Sequence, residues 1–140
     1  MSHKEIVASL DELDIVVNYL NETVLQNSII FLTGNLASGK TTLTAKIAKS
    51  KGIEGEVTSP TFSLQQCYSM DFYHYDLYRI ENEEFMTLGL FEEFEKSGWH
   101  MVEWGDDELK DFLVNAGYEV YTVTITPFED RRKYIIEKSI

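Results

Sequence analysis

Residues 28–50 read SIIFLTGNLASGKTTLTAKIAKS, and the expected fold follows from this stretch. It begins with a short apolar run over residues 29–32, rich in branched and aromatic side chains, which predicts a buried strand. Residues 34–41, GNLASGKT, match the phosphate-loop pattern G-x-x-x-x-G-K-[ST] at every fixed position. Apolar residues then recur at helical spacing until Gly52, which is placed to end a helix. A strand, this motif and a helix in that order predict a nucleotide site.

The residue types of the motif suit phosphate binding. Gly34 and Gly39 let the backbone wrap closely around phosphate oxygens, with its N–H groups pointing inward. Lys40 is expected to reach the β- and γ-phosphates, and the Thr41 hydroxyl to ligate Mg²⁺. The following helix offers the positive end of its dipole to the same anion. The variable positions of the loop that we expect to line the nucleotide are Asn35, Ala37 and Ser38.

Composition limits the class of protein. The chain has 140 residues, of which 44% are hydrophobic, so we expect one globular domain over residues 1–140. No apolar run approaches the roughly 20 residues of a transmembrane helix, and the N-terminal residues lack a signal peptide's apolar segment, which predicts a cytoplasmic protein without a membrane partner. The single cysteine, Cys67, excludes an internal disulfide. The net charge of −12 disfavours direct contact with nucleic acid, and suits either a basic partner surface or simple solubility.

Segments on both sides of the motif predict an α/β fold, a P-loop NTPase-like domain with a mixed, mostly parallel sheet flanked by helices. A capping box at Ser9 and Glu12 predicts a helix whose apolar stripe begins at Leu10. The other predicted elements are a weak strand over 5–8, a hairpin over 62–68 and 72–76, either one broken helix or two short helices over 77–94 with the interruption at Gly89, a strand over 99–104, a helix over 106–115, and a strand pair over 118–126 and 132–138, joined around residues 127–131.

Hydrolysis of a nucleotide needs a second carboxylate near Mg²⁺ and a group that positions water. Asp76 and Glu103 each close an apolar run, where the active sites of parallel sheets are built. We interpret both as candidate catalytic or metal-side acids, since two such acids accompany the motif, although a lone acid at a strand end is more often a solvent-exposed cap. Thr58, Ser59 and Thr61 lie in the loop after the phosphate-loop helix, where switch regions place a hydroxyl on Mg²⁺ and the γ-phosphate, or they are ordinary loop residues.

Four further features bear on the site, and two of them, Trp104 and Arg79, leave alternatives open. Trp104 could stack on a base or on a partner protein, or it could pack against other side chains of this chain, as half-buried tryptophans usually do. Arg79 could stabilise γ-phosphate charge or form a surface ion pair. His74 alternates with aromatic residues in a predicted strand, so we interpret it as structural. The chain contains no Asn-Lys-x-Asp segment of the kind that reads guanine, which favours ATP over GTP.

Taken together, several segments resemble the TsaE (YjeE) family of bacterial ATPases. They are GNLASGKTT at 34–42, VTSPTF at 57–62, HYDLYRI at 74–80 and VEWG at 102–105, with LGLFEEF at 88–94 as further support. The resemblance implies a role in making threonylcarbamoyladenosine beside the anticodon of tRNAs that read ANN codons. It implies ATP and Mg²⁺ as cofactors and binding to a TsaB–TsaD partner pair, whose cycle ATP binding and hydrolysis would drive. The tRNA would be held by those partners.

The resemblance also assigns roles to residues. For the nucleotide, Lys40 would bind phosphates, Thr42 would contact the α-phosphate side and Trp104 would lie nearby. For the metal and the reaction, Thr41 would ligate Mg²⁺, Thr61 would be the switch-loop hydroxyl on the metal, Asp76 would be a catalytic or metal-linked acid, and Glu103 would be a second Mg²⁺-side carboxylate. The sequence departs from the family pattern at two places. Ala37 replaces the middle glycine of the loop, and Leu13 stands where a Thr near the base is usual.

Two other functions share the motif. A small-molecule P-loop kinase, acting on a nucleoside or metabolite, commonly adds an arginine-rich lid. Only Arg79 and Lys96 are basic between Lys51 and Lys110, which argues against such a lid. A nucleotide-dependent interaction module that never hydrolyses would differ only in how Asp76 and Glu103 are positioned.

Overall fold

A seven-stranded sheet runs through the part of the chain that the computed structural model describes, residues 3–34, 39–53, 65–69, 71–78, 80–87 and 89–139. Across the sheet the strands are β1 (His3–Ala8), β7 (Arg131–Lys138), β6 (Val120–Phe128), β2 (Ser28–Thr33), β5 (Trp99–Glu103), β4 (Phe72–Asp76) and β3 (Gln65–Ser69). The helices are α1 (Leu13–Thr23), α2 (Lys40–Ser50), α3 (Asn82–Thr87) and α4 (Asp107–Asn115). No described helix is long and apolar enough to span a bilayer.

The strand directions confirm the mixed, mostly parallel sheet. Strands β6, β2, β5 and β4 are parallel neighbours, and antiparallel pairs close both edges. At one edge β7 lies antiparallel between β6 and β1, and at the other β3 is antiparallel to β4. Five strands therefore point one way, and β7 and β3 point the other. The carboxyl ends of the four parallel strands lie together along one end of the sheet, perpendicular to the edges formed by β1 and β3. Ligand sites in sheets of this kind form at that end.

Helices cover both faces of the sheet. The apolar side chains of α1 and α2, such as Leu20 and Leu43, join one buried cluster, and those of α4, such as Leu113, join another. Successive residues of β2 alternate between them, with Ile30 in the first cluster and Phe31 in the second. A strand covered on both faces is apolar throughout, which explains why β2 reads as a continuous hydrophobic run.

The broken helix and the first helix show where local patterns hold and where they fail. Gly89, with φ of 74°, separates α3 from a 3₁₀ helix at Leu90–Glu95, which confirms the predicted break.

At the first helix the prediction for Leu10 is wrong, because its side chain is 57% exposed. The backbone N–H of Ser9 donates to the Glu12 carboxylate, and the intervening residues form a 3₁₀ turn. The helix α1 begins only at Leu13, so Leu10 lies outside its buried stripe.

The terminal hairpin is longer than predicted. Pro127, expected in the turn, lies within β6 and pairs with Arg132 of β7. The pairing of β6 with β2 ends at Thr124, so Pro127 lies where β6 has a hydrogen-bonded neighbour on one side only. A missing N–H is tolerated at such a place. The turn follows at Glu129 and Asp130, where Glu129 adopts a positive φ of 55°.

Candidate functional site

The predicted nucleotide motif lies at the carboxyl end of β2. Gly34 follows this strand, and α2 begins at Lys40 directly after Gly39. Gly39 has φ of 101°, a conformation that side chains other than glycine rarely adopt. The loop residues between them, among them Asn35, Ala37 and Ser38, lie outside the described residues, as does Thr61. The predictions for these four residues stay predictions.

Lys40 is the cation at the centre of the motif. Its ammonium group donates to the carbonyl oxygen of Gly34 at 2.7 Å and lies 4.2 Å from the centre of the Trp104 ring. The residue is 3% exposed, and this burial lowers the pKa of its amine, while the charges of Glu103 and Asp76 act in the opposite direction. The amine is thus held beside two acids at the carboxyl edge of the sheet.

Glu103 brings a buried carboxylate to the same place. It is the last residue of β5 and is 3% exposed. In the parallel pairing with β2 it lies opposite Leu32, two residues before Gly34. The Thr41 hydroxyl donates to Oε2 of Glu103 at 3.3 Å, although the two residues are 62 positions apart. Thr41, Lys40 and Glu103 are therefore neighbours.

His74 reaches the same carboxylate oxygen. Its Nε2 is hydrogen bonded to Oε2 of Glu103, and a carboxylate can only accept, so the ring nitrogen donates. Sequence reasoning treated His74 as structural and did not connect it with the site. The sequence carried only part of the signal, because alternation along a strand puts His74 and Asp76 on one face of β4. The register of β4 with β5 then places Glu103 beside Asp76 and diagonal to the histidine.

Asp76 occupies the second acidic position. It ends β4, pairs with Glu103 across the sheet and is half-buried. Its Oδ1 accepts the backbone N–H of Tyr78 at 3.0 Å. The structure thus places both predicted acids side by side at the edge where the motif begins.

Trp104 combines a ring contact with an unusual backbone. Its φ is 64°, a left-handed conformation that costs a bulky residue about 1–3 kcal/mol and that clusters at functional sites. The ring packs against Tyr78, with centroids 4.8 Å apart, and faces the Lys40 amine. The structure thus places Trp104 beside Lys40, and its position near a bound nucleotide stays a prediction.

The remaining sequence candidates lie around this centre. Thr42 is exposed on the first turn of α2. Leu13 is 1% exposed and packs within the core, so its side chain is unavailable to a base. Sequence reasoning missed Arg132 of β7 altogether. Its guanidinium lies against Gly39, with Nη1 2.7 Å from the position that a Cβ of Gly39 would occupy.

The donor set fits Mg²⁺ bound together with a nucleotide. A hydroxyl and a carboxylate oxygen, those of Thr41 and Glu103, converge at 3.3 Å, and oxygen is the ligand type that this ion takes. Within the described ranges no group of three or more His, Cys, Asp or Glu residues could hold a metal. An ion here would thus depend on ligands from a phosphate chain, which is the ordinary mode for Mg²⁺.

Comparison with known proteins places the chain in a family. A family model described as "Threonylcarbamoyl adenosine biosynthesis protein TsaE" matches residues 7–134. The chain belongs to the TsaE family. This confirms the resemblance in the sequence and makes the chain a member of a family of tRNA threonylcarbamoyladenosine biosynthesis proteins.

Individual relatives agree with this membership. A tRNA threonylcarbamoyladenosine biosynthesis protein TsaE from Treponema pallidum is 36% identical over 104 residues, covering 72% of this chain and 73% of its own. The TsaE of Bacillus subtilis is 33% identical over 121 residues, covering 79% of this chain and 76% of its own. The crystal structure of Bacillus subtilis YdiB has a TM-score of 0.64 at 23% identity, over 97% of this chain and 86% of that one, and supports the P-loop NTPase-like fold.

Proposed function

We propose that this TsaE-family chain is an ATPase that binds a TsaB–TsaD type complex in the cytoplasm and drives its catalytic cycle by Mg²⁺-dependent ATP binding and hydrolysis. The cycle installs the threonylcarbamoyl group on the adenosine beside the anticodon of tRNAs that read ANN codons. The observation that carries the proposal is the meeting of Thr41 with Glu103 beside Lys40, at the carboxyl end of β2. A hydroxyl, a buried carboxylate and an ammonium group at the start of a helix are what Mg²⁺ and a triphosphate require.

Each side chain has a part in the proposed reaction. The Lys40 amine exchanges the Gly34 carbonyl for the β- and γ-phosphates and neutralises their charge as the terminal bond breaks. Mg²⁺, when bound, supplies charge stabilisation on the transferring phosphoryl group. Thr41 and Glu103 would hold it, the latter directly or through water. Their arrangement is maintained by the hydrogen bond from His74 to Glu103.

Asp76 is the candidate to orient the attacking water. It lies next to Glu103 on the adjacent strand and is half-buried. Its carboxylate therefore faces the site on one side and solvent on the other. A carboxylate in that position can accept a proton from water in line with the γ-phosphate. Thr61, the switch-loop hydroxyl implied by the family resemblance, completes the proposed set.

The partner assignment is supported by the charge of the chain. With 24 acidic and 12 basic residues, the surface would repel the phosphates of tRNA and attract a basic protein surface. We therefore propose that tRNA is contacted indirectly, through the partner complex, and that hydrolysis by the isolated chain is slow.

Hydrolysis of ATP by the purified chain, with and without the TsaB–TsaD pair and tRNA, tests this function. Lys40→Ala is the blank, because it removes the ammonium group while retaining the rest of the motif. We expect slow hydrolysis alone, a clear rise on adding the pair, and loss of both in Lys40→Ala. Hydrolysis that the pair leaves unchanged would refute the coupling, and failure to bind ATP would refute the activity.

A further inference from the structure

Arg132 approaches the nucleotide motif from β7, outside the sequence segments that carry the family resemblance. A Cβ built on Gly39 would lie 2.7 Å from Nη1 and 3.3 Å from Cζ of Arg132. Gly39 directly precedes Lys40, the first residue of α2. The guanidinium of Arg132 therefore lies against the motif, at the glycine where the loop passes into the helix.

The sheet explains how Arg132 reaches this position. It is the second residue of β7, opposite Pro127 of β6, near the turn at the carboxyl end of β6. That end lies at the same edge as the end of β2, because β6 and β2 are parallel. Arg132 and Tyr134 share one face of β7, and Tyr134 is buried in the cluster that α2 also joins. Arg132 thus projects on the side of the sheet that α2 covers.

The charges around the Arg132 guanidinium and the amino end of α2 favour the binding of an anion. Arg132 is half-buried, and among the described residues no carboxylate lies within 4.0 Å of its guanidinium. Its neighbour Arg131 has such a partner, with Nη1 3.9 Å from Glu12. The amino end of an 11-residue helix carries positive partial charge, so a cation beside it is unfavourable unless a negative group joins them. A phosphate would satisfy the guanidinium and the helix end at once.

The position of Arg132 relative to Glu103 indicates which phosphates it meets. In the sheet β2 lies between β5, which carries Glu103, and β6, to which β7 pairs. Glu103 and Arg132 thus flank the motif from opposite sides. Glu103 and Thr41 belong to the metal side, near the β- and γ-phosphates, whereas the loop backbone cradles the α- and β-phosphates.

We propose that Arg132 is a phosphate-binding residue of this site, whose guanidinium contacts the α- or β-phosphate of the nucleotide. The inference rests on the proposed function, since it assigns a further ligand to the same ATP. Arginine suits the role because its planar fork donates two parallel hydrogen bonds to a phosphate, which a lysine cannot do.

The test compares two neighbouring arginines in the full chain. Arg132→Gln and Arg131→Gln remove the same charge from adjacent positions of β7. In the described part of the chain, Arg132 lies against Gly39 of the motif, whereas Arg131 lies near Glu12. Dissociation constants for ATP and for ADP are measured by titration calorimetry. We expect Arg132→Gln to weaken both by about tenfold, and Arg131→Gln to change both by less than about twofold. Arg132→Lys should lie between Arg132→Gln and the original chain.

The outcomes separate the inference from the proposed function. If the unaltered chain does not bind ATP, the proposed function is wrong. If it binds ATP and Arg132→Gln binds as tightly as Arg131→Gln, the inference is wrong. Loss of ATP affinity with unchanged ADP affinity would refute the contact with the α- or β-phosphate. The salt dependence of ATP binding should become shallower in Arg132→Gln, which a purely structural effect would not produce. Should Arg132→Gln not fold, Arg132→Lys must show at least about a threefold loss for the inference to stand.

Discussion

The Thr41 hydroxyl lies 3.3 Å from Oε2 of Glu103, although 62 positions of chain separate the two residues. Thr41 is the second residue of α2, and Glu103 is the last residue of β5. Their meeting follows from the parallel pairing of β5 with β2, which ends both strands at one edge of the sheet. The hydroxyl and the carboxylate of the proposed Mg²⁺ site are thus brought together by the pairing of β5 with β2 and by the start of α2 beyond the end of β2.

Replacing Glu103 with Gln should remove Mg²⁺-dependent hydrolysis while leaving nucleotide binding largely intact. The amide keeps the size of the side chain but lacks the charge that a metal-side carboxylate supplies. We expect the rate at saturating ATP to fall by about a hundredfold and the Mg²⁺ concentration for half-maximal rate to rise. Glu119→Gln, at an exposed pair with Lys138, is the matched control. An unchanged Mg²⁺ requirement in Glu103→Gln would contradict the proposed role.

Replacing His74 should act through Glu103. His74 is fully buried and donates to that carboxylate, so His74→Phe leaves a buried acid short of one hydrogen bond. The loss of a hydrogen bond to a buried charged group costs about 1–3 kcal/mol of folding free energy. We expect a lower urea midpoint at neutral pH and a rate of hydrolysis reduced by about tenfold, with ATP affinity little changed.

His74→Gln provides the contrast, because its amide can still donate to Glu103. It should recover part of the rate and of the stability that His74→Phe loses. Equal rates in His74→Phe and the original chain would leave the histidine with the structural role that the sequence suggested. The KM for ATP should stay near its original value in both variants, since His74 does not touch the phosphates in this proposal.

Local sequence patterns predict the parts of this fold whose causes are local. The apolar run of β2 and the helix α2 each depend on neighbouring residues, and both lie where expected. The break at Gly89 is equally local, because it needs only one residue with positive φ. The two acids at strand ends were found for the same reason, since each directly follows its apolar run.

Local sequence patterns do not predict contacts between segments that are distant in the chain. The hydrogen bond from His74 to Glu103 depends on the register of β4 with β5, and the placement of Arg132 against Gly39 on the order β7, β6, β2. The strand order is decided by packing across the sheet, which periodicity within one segment does not report. The prediction that Pro127 lies in the turn is wrong for a similar reason. A proline favours a turn, and its place within β6 can be recognised only when the pairing partners of that strand are known.

ATP binding should change the intrinsic fluorescence of Trp104. The Lys40 amine lies 4.2 Å from the centre of this ring, and the proposed binding moves the amine to the phosphates. The chain has two tryptophans, and the other, Trp99, has the Lys51 amine 3.6 Å from its ring centre at the opposite edge of the sheet. We expect the ATP-induced change to disappear in Trp104→Phe and to persist in Trp99→Phe. The reverse pattern would show that the nucleotide binds elsewhere.

The stability of the fold should decrease on acidification partly through His100. This residue is buried, and burial lowers the pKa of its imidazole below the ordinary 6.5, against the opposing effects of the Lys96 backbone and the Glu93 charge. Its Nδ1 accepts the Tyr75 hydroxyl at 2.7 Å, and its Nε2–H donates to the Lys96 carbonyl at 2.8 Å, an arrangement that the neutral ring satisfies.

The sign of the effect follows from the direction of that shift. Below its ordinary pKa of 6.5 the unfolded chain protonates His100 while the folded chain resists protonation. The unfolded state therefore binds more protons, and stability falls with decreasing pH until the folded-state pKa is passed. His100→Gln should flatten this part of the profile, because an amide can accept from Tyr75 and donate to the Lys96 carbonyl without titrating. Urea unfolding of both proteins between about pH 7.5 and pH 5 measures the difference. Parallel profiles for His100→Gln and the original chain would mean that His100 does not contribute to acid sensitivity.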